Sequence, residues 1–206
     1  PIQGEGGVRV PSDDYLPAVR RLCDERGLLL IFDEVQTGMG RTGRLFCHEH
    51  AGIAPDIVTL AKALGNGVPI GAMGCTDKAA SGFAPGTHAT TFGGNPLCTA
   101  AALATVRELL ADGFLDTVQK TGAYFMEALE GLAAKHPVIK EVRGKGLMVG
   151  VEMDTPVAPV VGKLLDAGIV SGPAGPNVLR FVPPLIVTRD DVDRVVSTLD
   201  AILGEA

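Results

Sequence analysis

Five large apolar residues in a row, Leu28-Leu29-Leu30-Ile31-Phe32, run directly into two acids, Asp33-Glu34. A run of that bulk reads as a strand buried on both faces, the pattern of a parallel sheet covered by helices. It places Asp33 at the strand's carboxyl end, where open α/β sheets bind ligands. A carboxylate buried there without a partner is costly, so Asp33 requires a cation, a metal or a protonated ring nitrogen. A second short strand signal, Ile57-Val58-Thr59-Leu60, leads to Lys62 in the uncharged setting Ala61-Lys62-Ala63-Leu64-Gly65-Asn66-Gly67. Burial among such neighbours favours the neutral amine, the form that attacks a carbonyl carbon.

The surrounding pattern alternates helix and strand. Ser12 or Asp13 is placed to cap a helix over Tyr15 to Arg26, with Gly27 as its stop, and the strand to Asp33 follows at once. Strands at Ile57 to Leu60 and Ile70 to Cys75 continue a central sheet. Asn95 and Pro96 have the chemistry of an N-cap and a first helical turn, opening a helix to about Ala111. Gly113 marks a domain boundary, giving a first domain over residues 1–112 and a smaller α/β domain over 113–206. In the second domain we expect helices over Leu115 to Lys135, Val157 to Ala167 and Arg189 to Leu203. Strands are expected over Ile139 to Val142, Leu147 to Met153 and Val178 to Val182.

Composition removes several classes of function. With 46% hydrophobic residues among 206, the chain has enough apolar side chains for a sizeable core. A formal charge of -6, no tryptophan and no Lys/Arg block leave no footprint for nucleic acid. No apolar stretch reaches membrane-spanning length, and Cys23, Cys47, Cys75 and Cys98 lack a CxxC spacing, which suits the reducing cytoplasm. Gly38-Met39-Gly40-Arg41-Thr42-Gly43 matches a dinucleotide fingerprint, but no apolar-periodic helix opens after it and Asp56 precedes its strand. The acid-ended strand also looks like the Mg²⁺-holding strand of P-loop ATPases, whose phosphate loop this chain lacks. His48 and His50 flank Glu49 at a spacing that brings two ligands together only on a strand, so they read as a solvent-facing loop and no metal is assigned.

Singly, Lys62 has the commonplace reading of a solvated helix residue, and Asp33 that of a capping acid. Together they fit pyridoxal phosphate, whose aldehyde takes a lysine and whose pyridinium nitrogen takes a carboxylate. Four segments in order, Pro1-Ile2-Gln3-Gly4-Glu5-Gly6-Gly7, Phe32-Asp33-Glu34-Val35-Gln36-Thr37-Gly38, Ala61 to Gly67 and Thr91-Phe92-Gly93-Gly94-Asn95-Pro96, resemble the class III (ornithine-type) aminotransferases. The resemblance implies an α/β chain of fold type I, like aspartate aminotransferase. It would comprise part of the large, mainly parallel-sheet domain followed by the small C-terminal domain. It also implies that the chain is roughly the second half of the family's length, since Pro1 falls inside a motif that in the family has a glutamate just before this proline. A glycine turn for the cofactor phosphate and an aromatic residue stacking on the ring would then lie in the first half.

The roles implied are specific. By resemblance, Lys62 bonds the cofactor aldehyde and then moves the substrate proton, and Asp33 holds the ring nitrogen. Val35 packs on the ring, and Gln36 reaches its phenolic oxygen. Thr91, with Thr90 as a helper, would reach the phosphate of the neighbouring subunit's cofactor, making a homodimer part of the site. Arg180, the one charge in Val178-Leu179-Arg180-Phe181-Val182, would bind the α-carboxylate of an amino or 2-oxo acid, with Glu5 as its alternating partner. Asn177 to Leu185 is most similar to members that move the δ-amino group of N-acetylornithine to 2-oxoglutarate. Relatives acting on ornithine, succinylornithine, succinyldiaminopimelate or 4-aminobutyrate, and a fragment without activity, are the alternatives.

Overall fold

The structure, a computed structural model, describes residues 1–205. By contact the chain divides into two compact units, Pro1 with Pro11–Leu115, and Ile2–Val10 with the residues from Asp116 onward. The sequence boundary after Asp112 kept residues 2–10 in the first domain; the contacts group them with the second unit.

In the first unit, α1 (Tyr15–Arg26) ends at Gly27, whose φ of +65° is open to glycine without strain. Neither Ser12 nor Asp13 caps it. Asp14 holds the cap position with no side-chain bond to the helix, and the Ser12 hydroxyl instead donates to Asp14 Oδ1 at 2.6 Å. Strands β1 (Ile31–Asp33), β2 (Ile57–Leu60) and β3 (Ala72–Cys75) form a sheet in that order. β1 and β2 are parallel, with Asp33 opposite Thr59, whereas β3 runs antiparallel to β2. Thr76 caps the short α2 (Asp77–Ala80), and Asn95 caps α3 (Pro96–Leu109) by accepting from Cys98 N at 3.0 Å.

Among the described residues β1 is covered on one face only, which corrects the expectation that this strand is buried on both. Phe32, Leu30 and Cys23 are buried together, with Leu16 and Val19 of α1 packed against them. The opposite face of β1 carries Ile31 and Asp33, and Ile31 is 56% exposed. Cross-strand register puts Met73 in the Asp33 row of that open face, and Met73 is exposed too.

In the second unit, α4 (Phe114–Lys135) is followed by β4 (Ile139–Lys145), β5 (Met148–Met153), α5 (Ala158–Asp166), β6 (Gly172–Pro173), β7 (Val178–Phe181) and α6 (Arg189–Gly204). The sheet order is β4-β5-β7-β6, antiparallel throughout. Val149, Val151 and Met153 alternate along β5 and join Leu179 and Phe181 of β7 against Phe125, Leu129, Leu164, Val192 and Leu199 of the helices. Each such side chain, fully buried, contributes about 1.5–3 kcal/mol of apolar transfer. A capping box fixes the start of α6: Thr188 Oγ1 accepts from Asp191 N while Asp191 Oδ2 accepts from Thr188 N. The other sheet face, carrying Gly150 and Arg180, is met by residues 2–10, among which Val8 is wholly buried.

Candidate active site

Parallel pairing brings the carboxyl ends of β1 and β2 side by side. Asp33 lies opposite Thr59, and Glu34 N donates to Thr59 O at 3.0 Å. Three residues beyond Thr59, Lys62 opens a tight turn over Lys62–Leu64 with a left-handed φ of +47°. A non-glycine residue in that region is uncommon, and such positions cluster where a side chain must be aimed. Asp33 Oδ1 accepts from Val35 N at 2.9 Å, which holds the carboxylate at the strand end. Among the described residues no salt bridge engages Asp33 or Lys62. Both side chains lie on exposed residues, a departure from the buried setting expected of them, because nothing described covers this face of the sheet.

Val35 and Gln36 are half-buried in the turn after β1. Thr90 and Thr91 are exposed just ahead of the capped start of α3. Thr90 lines an open recess with Val68, Ile70, Phe92, Asn95 and Leu97. The structure thus brings Asp33 and Lys62 to one end of one sheet and puts the threonines on a separate segment of the same unit. An amine, a carboxylate unmatched by any described cation and hydroxyls near a helix start form a donor set that fits an aldehyde cofactor with a basic ring nitrogen and a phosphate.

The sequence reading missed the group that organises this turn. Glu34, one residue past Asp33 and therefore on the opposite side of the pleat, is 1% exposed. Its Oε2 accepts from Thr37 Oγ1 at 2.6 Å and Cys47 N at 3.0 Å, and its Oε1 accepts from His48 N at 2.9 Å and lies 3.0 Å from His48 Nδ1. A carboxylate accepts only, so Nδ1 carries the proton. Residues 47–51 form a 3₁₀ turn in which His48 is largely buried, which corrects the solvent-facing placement expected of it, whereas Glu49 and His50 are exposed as expected; His50 Nε2 meets Thr42 O at 3.1 Å. Burial also draws the Arg41 guanidinium down to about 10, which leaves it charged at neutral pH. The available signal was an acid in the alternate register of a strand whose other face points to the ligand end.

In the second unit, Arg180 sits on β7 with Glu5 against it, Nη1 to Oε1 at 2.5 Å. The arginine side chain is 17% exposed and the glutamate 69%, so the pair stands at a surface with the cation anchored and the anion at the rim. Glu5 belongs to a loop closed by the Gln3–Arg9 bridge. Among the described residues no cluster of metal-ligating side chains occurs, and no helix is long and apolar enough to cross a membrane.

Comparison with known proteins gives concordant findings. The family model of class III aminotransferases matches residues 1–203. The acetylornithine aminotransferase of Caldanaerobacter subterraneus subsp. tengcongensis is 55% identical over 205 residues, 99% of this chain and 52% of the relative. That of Bacillus subtilis is 48% identical, over 96% of this chain and 51% of the relative. The chain therefore spans about half the length of the curated relatives it matches. Among solved structures, the ornithine aminotransferase of Toxoplasma gondii ME49 superposes with a TM-score of 0.95 at 42% identity, covering 100% of this chain and 51% of that one. The N-acetylornithine aminotransferase of Stenotrophomonas maltophilia K279a gives 0.89 at 39% identity, covering 100% and 55%.

Proposed function

The chain belongs to the class III aminotransferases, and on that premise we propose that its protein is a cytoplasmic, homodimeric transaminase dependent on pyridoxal phosphate. Its reaction moves the δ-amino group of N-acetylornithine to 2-oxoglutarate, giving N-acetylglutamate 5-semialdehyde and glutamate, a step of arginine biosynthesis. The observation that carries the reading is the register that sets Asp33 and Lys62 at adjoining carboxyl ends of two parallel strands.

Bound there, pyridoxal phosphate would supply an electron sink for chemistry at the carbon next to the substrate nitrogen. Nζ of Lys62 would hold the cofactor through its aldehyde and would serve as the acid/base group that moves the proton at the substrate carbon. The Asp33 carboxylate would face the ring nitrogen and keep it protonated. Val35 would pack on the ring, and Gln36 would hydrogen-bond its phenolic oxygen. Thr91, helped by Thr90, would donate a hydroxyl to the cofactor phosphate in the partner subunit. Arg180 receives the α-carboxylate of 2-oxoglutarate or glutamate through two parallel N–H bonds, and Glu5 neutralises it while the donor reacts through its distal amine.

The test is direct. Pyridoxal phosphate is added to the purified protein, borohydride fixes the adduct, and peptide mass spectrometry locates it. We expect one label per chain at Lys62 and none there in Lys62→Ala. Scattered labelling, unchanged in that variant, overturns the reading. Likeness to the Toxoplasma enzyme supports ornithine as a second donor, and the ratio of kcat/KM for N-acetylornithine and ornithine decides between them.

A further inference from the structure

Arg143 stands in the same cross-strand row as Arg180, with Gly150 between them: Arg143 pairs with Gly150 across β4 and β5, and Gly150 with Arg180 across β5 and β7. Residues directly opposite point to the same face, so the row reads arginine, gap, arginine. Val8 fills the gap. A Cβ built on Gly150 would stand 2.9 Å from Val8 Cβ, so glycine is what lets the loop seat on the sheet.

That loop is held from both sides of the gap. Gln3 and Arg9 exchange backbone bonds of 3.1 and 3.0 Å to close it, and Val8 N donates to Gly4 O at 3.1 Å. On one side, Arg143 is 8% exposed and spends its fork on backbone. Its Nε donates to Gly7 O at 3.0 Å and Val8 O at 3.2 Å, and its Nη2 to Gly7 O at 2.7 Å. Its charge is met separately by Glu141 and Glu152 through Nη1. On the other side, Glu5 reaches Arg180. The closed form is not the backbone's own preference, since Val8 is β-branched and sits at φ +50° after Gly7 at φ +106°. A strained loop stays closed only when its surroundings over-determine it, and Arg143 supplies three of the bonds that do so.

We propose that Arg143 is a positioning residue that pins the Gln3–Arg9 loop and so sets how readily Glu5 releases Arg180 to a carboxylate ligand. This rests on the reading of Arg180 as the carboxylate receiver. Lysine cannot replace it, because one ammonium lacks the planar fork that spans two successive carbonyls while serving two acids. The anchoring is remote from Lys62 in the sequence and acts on donor discrimination, leaving carbanion chemistry alone.

Two readouts need no cofactor. Hydrogen–deuterium exchange of a peptide spanning residues 2–10 reports loop opening, and calorimetry with glutarate, a dicarboxylate without an amine, reports access to Arg180. We expect Arg143→Lys and Arg143→Met to speed exchange in the loop by about tenfold. Both should tighten glutarate binding by about fivefold, as should Glu5→Gln, with the Arg143→Met/Glu5→Gln pair no tighter than Glu5→Gln alone. If Arg143→Met fails to fold, Arg143→Lys, which keeps the charge facing Glu141 and Glu152, carries the test. Wild-type glutarate affinity in the Arg143 variants, with Glu5→Gln tightened, overturns this proposal and spares the Arg180 reading. Glutarate binding that is insensitive to Arg180→Gln defeats that reading, and the proposal with it.

Discussion

At the scale of single residues, two consecutive acids divide the work because a strand alternates. Asp33 faces the open side of the sheet end, and Glu34 faces inward, where it gathers Thr37, Cys47 and His48. Every contact of the Glu34 carboxylate is as an acceptor, so Glu34→Gln turns part of a matched site into an amide N–H₂ facing other donors. A buried donor left without its acceptor costs about 1–3 kcal/mol. We expect Glu34→Gln to lose about 2 kcal/mol in urea denaturation followed by circular dichroism, the chain having no tryptophan to follow. A loss below about 0.5 kcal/mol, the ordinary range for surface changes, shows that the loop after β1 does not depend on this carboxylate.

At the scale of elements, β1 separates what a local pattern reveals from what it hides. A run of apolar residues announces a strand but not how many of its faces are covered. Phe32, 6% exposed beneath α1, and Ile31, 56% exposed, are neighbours in one such run. We therefore expect Phe32→Ala to cost about 3 kcal/mol and Ile31→Ala to stay within about 0.5 kcal/mol in the same measurement. Equal losses contradict an open face. The elements legible in the sequence are those written by neighbours: α1 between residues 15 and 26, β2 over Ile57–Leu60, and the Asn95-Pro96 start of α3. The strand ends that carry Asp33 and Lys62 are local patterns of the same kind. What escaped reading rests on distant pairs. The antiparallel β3, the open face of β1 and the grip of Arg143 on Gly7, 136 residues away, leave no periodicity behind. Arg180 and Glu5, 175 residues apart, came into view only through the resemblance of their segments to a family.

At the scale of the whole molecule, aspartates held in the charged form by their neighbours occur in both units. In the first, Leu30 N and then Arg20 hold the Asp56 carboxyl below the usual range. In the second, His136 and then Lys135 do the same for Asp200, and the Thr188 hydroxyl followed by the Thr188 backbone does it for Asp191. Each folded value lies under the unfolded value of about 3.9, so between the two the unfolded chain binds more protons. Stability then rises with pH across that interval: these contributions are complete above about pH 4 and vanish as pH falls through the folded values. Urea midpoints should therefore be insensitive to these groups from neutrality down to about pH 5 and begin to fall below about pH 4. Asp56→Asn and Asp200→Asn should each be less stable than the parent at pH 7, yet lose less on acidification, so that the curves converge as pH falls through the folded values of these aspartates. Parallel curves that keep their separation at low pH mean that hydrogen-bond geometry, indifferent to charge, is what these aspartates contribute. Convergence assigns the stabilisation to the carboxylate form, held by a guanidinium and a backbone amide in one unit and by an imidazole and an ammonium in the other.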